Sequence, residues 1–179
     1  MEAPLSILRI SAPVAGRTSL DSIHERNGGE NVLAYSNALS AYRETRIRTA
    51  SQGQLIVMLY DEAVKQLDHA IELIGSDGNK LEPGKIERLN GALVKAQEIV
   101  TELMASLDFD AGGEIARNLF SLYNWFNREL LQANITKDHA RIRAVRILMF
   151  ELRAAWQDVV LKTSAESSGR AASGVNIAG

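Results

Sequence analysis

The chain has 179 residues, 46% hydrophobic and 23% charged, with 20 Lys plus Arg against 22 Asp plus Glu and no cysteine. A domain of this size buries roughly 70% of its unfolded surface, so a single packed core is expected and wholesale disorder or a fibrous repeat is excluded. Near-neutral charge removes the basic field that nucleic-acid binding needs, and without cysteine there is no disulfide, thiolate nucleophile or cysteine-ligated zinc.

Residues 1–30 mix Pro4, Pro13, Gly16, Gly28 and Gly29 with polar side chains and have no apolar period, so they are expected to form a flexible extension. Met1 to Gly16 is broken by Glu2, Pro4, Arg9 and Pro13 and does not read as a signal peptide. No apolar run approaches the roughly 20 residues of a membrane-spanning helix, and a cytoplasmic protein without membrane insertion is expected.

Residues 31–162 carry the helical period. A short segment from Val32 to Thr45 sets Leu33, Leu39 and Tyr42 among polar residues. A first long helix is expected from Ser51, where Ser51 and Gln54 have the spacing of a capping box, to Ile74. Its stripe is Leu55, Ile56, Leu59, Ala63, Leu67, Ile71 and Ile74, and the turn residues Gly75 to Gly78 end it. Pro83 suits the first turn of a second helix, where a missing amide hydrogen costs nothing. Ile86, Leu89, Leu93, Ala96, Ile99 or Val100, Leu103 and Leu107 make its stripe, which ends near Asp108.

Phe109 to Gly113 is expected as a short connection, which forces an antiparallel neighbour. A third helix then runs from Glu114 to Ala133, with Ile115, Leu119, Leu122, Phe126 and Leu130 on one face and Tyr123 beside them. Asp138 can cap a fourth helix with a stripe of Ile142, Val145, Leu148 or Met149, Leu152, Trp156 and Val159. Residues 163–179, rich in Ser, Ala and Gly, are expected as a loose tail. Four long amphipathic helices with short links imply an all-α, antiparallel up-and-down four-helix bundle, with an additional short N-terminal helix.

Chemistry is hard to find in this pattern. The residues three before His24, His69 and His139 are Asp21, Gln66 and Thr136, so the Glu-x-x-His ligand pairs of a metal-binding bundle are missing. Gly78 to Lys85 has the wrong spacing for a phosphate loop and lies between two helices rather than after a strand. No catalytic, cofactor-binding or metal-binding residue is assigned, and no cofactor is expected.

Particular runs of residues point further. Ala41-Tyr42, Thr49-Ala50-Ser51, Leu55 to Asp61, Lys95-Ala96-Gln97, Glu102 to Asp108, Gly112 to Ala116, Asn118-Leu119, Leu122-Tyr123, Ala133-Asn134 and Glu151 to Trp156 together resemble the flagellin export chaperones (FliS), over roughly residues 38 to 160. The resemblance implies a bundle that holds the C-terminal region of flagellin in the cytoplasm, delays its polymerisation and delivers it to the flagellar export apparatus. It also suggests that the segment bearing Tyr42 is a lid over an empty client groove. The chain departs from the family pattern twice: Gln52 stands where proline is usual after the capping serine, and about 35 residues precede the usual N-terminus.

A chaperone of this kind needs apolar surface that is available without unfolding. Ile56, Tyr60, Val100, Leu103, Met104 and Tyr123 have apolar bodies next to the main stripes and are candidate groove residues, with ordinary core packing the competing reading. Lys95, Asn118 and Asn134 are candidates for added polar contacts. A generic helical adaptor, binding a partner through an amphipathic face, shares the same fold.

Overall fold

A computed structural model of the chain describes residues 7–8, 50–75 and 82–172, with side chains of the last helix as far as Ala165. Four helices account for nearly all of this: α1 (Gln52–Ile74), α2 (Pro83–Ala105), α3 (Phe109–Thr136) and α4 (His139–Ala172). Their ends follow local chemistry. Gly75 adopts a left-handed φ of 67° and its amide donates to the Ile71 carbonyl at 3.1 Å, which closes α1. Pro83 occupies the first turn of α2 as its missing donor allows. Asp108 caps α3 by accepting from the amides of Asp110 and Ala111 at 3.1 and 2.9 Å. Lys137, at φ 57°, terminates α3, and the Asp138 carboxylate accepts from the Ala140 amide at 2.9 Å to start α4.

The helices form a four-helix bundle in which α1 packs against α2 and α4, α2 against α3, and α3 against α4. Side-chain pairs define the antiparallel register. On one side Arg146 makes a bidentate pair with Asp68 at 2.8 and 3.1 Å, and Arg153 meets Asp61 at 2.5 Å. Seven residues forward along α4 therefore answer seven residues back along α1. On another side the Asn134 side chain donates to Asn90 at 2.6 Å, and Gln97 donates to the Asn127 carbonyl at 3.1 Å. Here too a step of seven along one helix meets a step of seven back along the other, the spacing of two-turn packing in left-handed bundles.

The core faces differ from the expected stripes by a phase shift in two helices. In α3 the buried line is Ala116, Leu119, Tyr123, Phe126, Leu130 and Ala133, whereas Ile115 is 58% exposed. In α1 the buried line includes Ile56, Tyr60, Ala63, Val64, Leu67 and Ala70, while Leu55, Leu59, Ile71 and Ile74 are half-buried. Alanines at the contacts let neighbouring helices approach, and counting only large apolar residues misplaces the centre of the face. Ile86, placed in the α2 stripe, is exposed near the helix start. The α4 stripe falls where expected, with Ile142, Val145, Met149 and Trp156 buried.

Three segments also differ. Phe109 to Gly112 is a helical turn rather than a connection, and Gly113 breaks it from the rest of α3 with φ 49° and ψ −121°. Helix α4 continues to Ala172 instead of giving way to a tail at residue 163. Ile7 and Leu8, within the expected extension, are buried in the bundle unit. The rest of residues 1–49, including the expected helix from Val32 to Thr45, lies outside the described residues.

The Gly113 backbone conformation is one that residues with a Cβ rarely adopt, and an added Cβ would meet nothing within 4 Å. Gly113→Ala is therefore expected to lower stability by about 1–3 kcal/mol through backbone strain alone. Urea unfolding should show this as a lower midpoint with an unchanged slope.

Candidate functional site

Among the described residues no group of three or more His, Asp or Glu side chains is placed to hold a metal ion. An open depression on the outer face of α1 is lined by Asp61, Lys65, Gln66, Asp68, His69 and Glu72. Arg153 and Arg146 engage two of its carboxylates, and those carboxylates serve the α1–α4 packing. The Asp68 carboxylate, by its hydrogen bond, raises the pKa of the Arg146 guanidinium. That guanidinium also lies 5.1 Å from the Phe150 ring centroid.

The candidate groove residues fall into three groups. Ile56, Tyr60, Val100, Leu103 and Tyr123 are all buried within the bundle core, and Met104 is half-buried against it. Lys95 and Asn118 are exposed on outward faces, and Asn134 bridges α3 to α2 through Asn90. Tyr42 lies outside the described residues.

Tyr60 on α1 and Tyr123 on α3 are brought together at the bundle centre, where their hydroxyls share a hydrogen bond in which either can donate. Burial disfavours both phenolates. It pushes the Tyr60 pKa up to about 12, against opposing hydrogen bonds from Tyr123 and Trp156. Tyr123 is raised further, by burial first and then by its Tyr60 neighbour.

Accessible apolar side chains lie elsewhere: Ile147, Phe150 and Leu161 on α4, and a row along the seam between α2 and α3. The seam itself is polar: besides the Asn90–Asn134 and Gln97–Asn127 contacts, the Asn127 amide approaches the Thr101 hydroxyl at 3.4 Å. The Asn127 Oδ1 atom is buried there without a hydrogen-bond partner. Val94 stands one turn from both Asn90 and Gln97, and Leu131 one turn from both Asn127 and Asn134, so both flank this polar row. Phe120 and Ile135 extend the α3 side. These four side chains are 40%, 49%, 41% and 66% exposed, for Val94, Leu131, Phe120 and Ile135 respectively. At one end Phe120 meets exposed Phe109 edge to face at 5.8 Å. The sequence signal for this row is a surplus of large apolar residues out of phase with the core stripe. It was not among the sequence-derived candidates.

A helical bundle with a polar seam, an apolar border and its polar core groups satisfied by one another has the make-up of a protein-binding module. Comparison with known proteins agrees. Residues 35–163 match the family model of the flagellar protein FliS, and the chain belongs to that family. It is 38% identical over 126 residues to the flagellar secretion chaperone FliS of Salmonella typhimurium, spanning 70% of this chain and 88% of that protein. The FliS of Escherichia coli strain K12 is 34% identical over 122 residues, covering 68% and 85% of the two chains. That of Bacillus subtilis is 30% identical over 128 residues, covering 72% and 90%. The family is one of flagellar chaperones and not of enzymes.

Removing one hydroxyl of the central pair leaves the other buried and weakly satisfied. Tyr60→Phe or Tyr123→Phe should each cost about 1–3 kcal/mol, and the double variant should cost less than the two together, as a double-mutant cycle in urea would read. The pair also sets an alkaline limit. The unfolded tyrosines release protons near pH 10.0 while folded Tyr60 holds its proton to about 12. The stability this contributes is complete below pH 10 and is lost as pH rises from 10 through 12. Thermal melts in a pH series should fall in that window, and less steeply for the double variant.

Proposed function

We propose that this chain binds the C-terminal region of flagellin in the cytoplasm, keeps it from polymerising, and passes it to the flagellar export apparatus. The observation that carries this reading is the exposed apolar row of Val94, Phe120, Leu131 and Ile135 beside the α2–α3 seam. Contiguous apolar surface with a polar margin is typical of a protein docking site. Its straight course along two helices suits an amphipathic segment laid lengthwise, with anchors entering every turn or two. The buried Ile56, Tyr60, Val100, Leu103 and Tyr123 belong to the core and meet a client only where helices part.

Such a client orders as it binds and loses on the order of 2–5 kcal/mol in doing so, which calls for several anchors spread along a long surface. Family membership supports the flagellar part of this reading, and the names of the Salmonella, Escherichia and Bacillus relatives support secretion as the setting.

Titration calorimetry with the organism's own flagellin, intact and lacking its C-terminal segment, tests it. Saturable binding is expected only for the intact client. The Val94→Asp/Leu131→Asp double variant is expected to bind at least about thirtyfold more weakly, the size of a hot-spot loss near 2 kcal/mol. Its melting temperature should hardly move, because surface changes outside special features stay within about 0.5 kcal/mol. Equal binding after deletion of the flagellin segment would favour a generic helical adaptor.

A further inference from the structure

Ile7 and Leu8 stand well before residue 35, where the family match begins, yet both are buried, Leu8 completely. They lie at the end of the bundle where α2 turns into α3. Leu8 forms an isolated antiparallel bridge with Leu107. The Asp108 amide donates to the Ile7 carbonyl at 2.7 Å, and the Gln52 side-chain amide donates to the Leu8 carbonyl. The floor is Gly112. A Cβ there would come within 2.7 Å of the Ala116 Cβ atom and 2.9 Å of the Ile7 Cγ2 atom, so the missing side chain leaves space that Ala116 and Ile7 share.

These contacts have the form of peptide recognition by strand pairing: main-chain hydrogen bonds hold an extended segment and pockets take its side chains. Gln52 contributes one of the bonds from the first turn of α1, through its side-chain amide.

We propose that the corner made by Gln52, Leu107, Asp108 and Gly112 is a docking site for an extended peptide with two adjacent branched apolar side chains, and that residues 7 and 8 occupy it as a tethered, releasable ligand. Among the described residues, two side chains, one bridge and two hydrogen bonds hold the segment, and more than 40 residues separate Leu8 from Gln52. Tethering replaces a bimolecular encounter with an effective concentration in the millimolar range at most, lower for a long linker. The docked state is therefore open to competition from a peptide of the same chemistry, independently of whether flagellin is the client.

The test uses the full chain carrying Leu8→Asp and a fluorescently labelled synthetic peptide of residues 1–12, followed by anisotropy. The peptide is expected to bind this variant saturably and at least tenfold more tightly than the wild-type chain, whose site is filled in cis. A peptide carrying Leu8→Asp should not bind. Failure of the wild-type peptide to bind a variant with full helical circular dichroism, or equal binding to both chains, overturns the proposal. Hydrogen exchange on the wild-type chain decides the matter even where the variant does not fold. A releasable segment predicts that the Asp108 amide exchanges at least tenfold faster than the amides of Val100 and Leu103, whereas equal protection shows a permanently fixed segment.

Discussion

The hydroxyls of Tyr60 and Tyr123 meet in an interior built otherwise almost wholly from aliphatic and aromatic groups. A buried hydroxyl without a partner costs about 1–3 kcal/mol, so each of these needs the other, and the two belong to helices that lie across the core from one another. Neighbouring helices can slide while keeping apolar contact. A hydrogen bond across the diagonal fixes the axial offset of α1 and α3 together, and α2 and α4 must then fit the gaps on either side. Trp156 brings α4 into the same junction. The small side chains Ala63, Ala92, Ala96, Ala116 and Ala133 complete the arrangement by letting the helices approach closely enough for the two phenols to meet.

This division of labour separates support from recognition. The centre of the bundle is closely apolar, and its two buried phenols satisfy one another. Some of the apolar groups left over after the core is filled line the α2 and α3 side, where Asn90, Asn134, Gln97 and Asn127 add polar contacts between the helices, and others, Ile147, Phe150 and Leu161, lie on α4. On the proposed reading, an apolar client lies on this surface without displacing any part of the core.

The period of the large apolar residues, Pro83, Gly75 and Asp138 made four helices and most of their ends legible in the sequence. The phase of α3 was not, because Ala116 and Ala133 mark its buried face and a search for large apolar residues passes over them in favour of Ile115. Tyr60 and Tyr123 stood out as candidates, but pattern alone does not reveal that two polar tips meet inside and satisfy one another. Ile7 and Leu8 lacked any periodic neighbours; what buries them is a partner surface made by residues a hundred positions away. The border of Val94, Leu131 and Ile135 was readable only as excess hydrophobicity, which takes on meaning once the Asn90–Asn134 contact shows which sides of α2 and α3 face each other.

The ion pairs between α1 and α4 repeat at a spacing of seven, with aspartates on one helix and arginines on the other. A repeat of this kind is degenerate. Sliding α4 by two turns would still set Asp61 opposite Arg146, so the charges encode which faces meet and which way the helix runs, but not how far along it sits. Positional information must come from groups that occur once, the tyrosine junction and the tight Lys137–Asp138 turn. The bundle thus uses a repeating code for orientation and a unique mark for alignment, as a ruler needs a zero as well as its divisions.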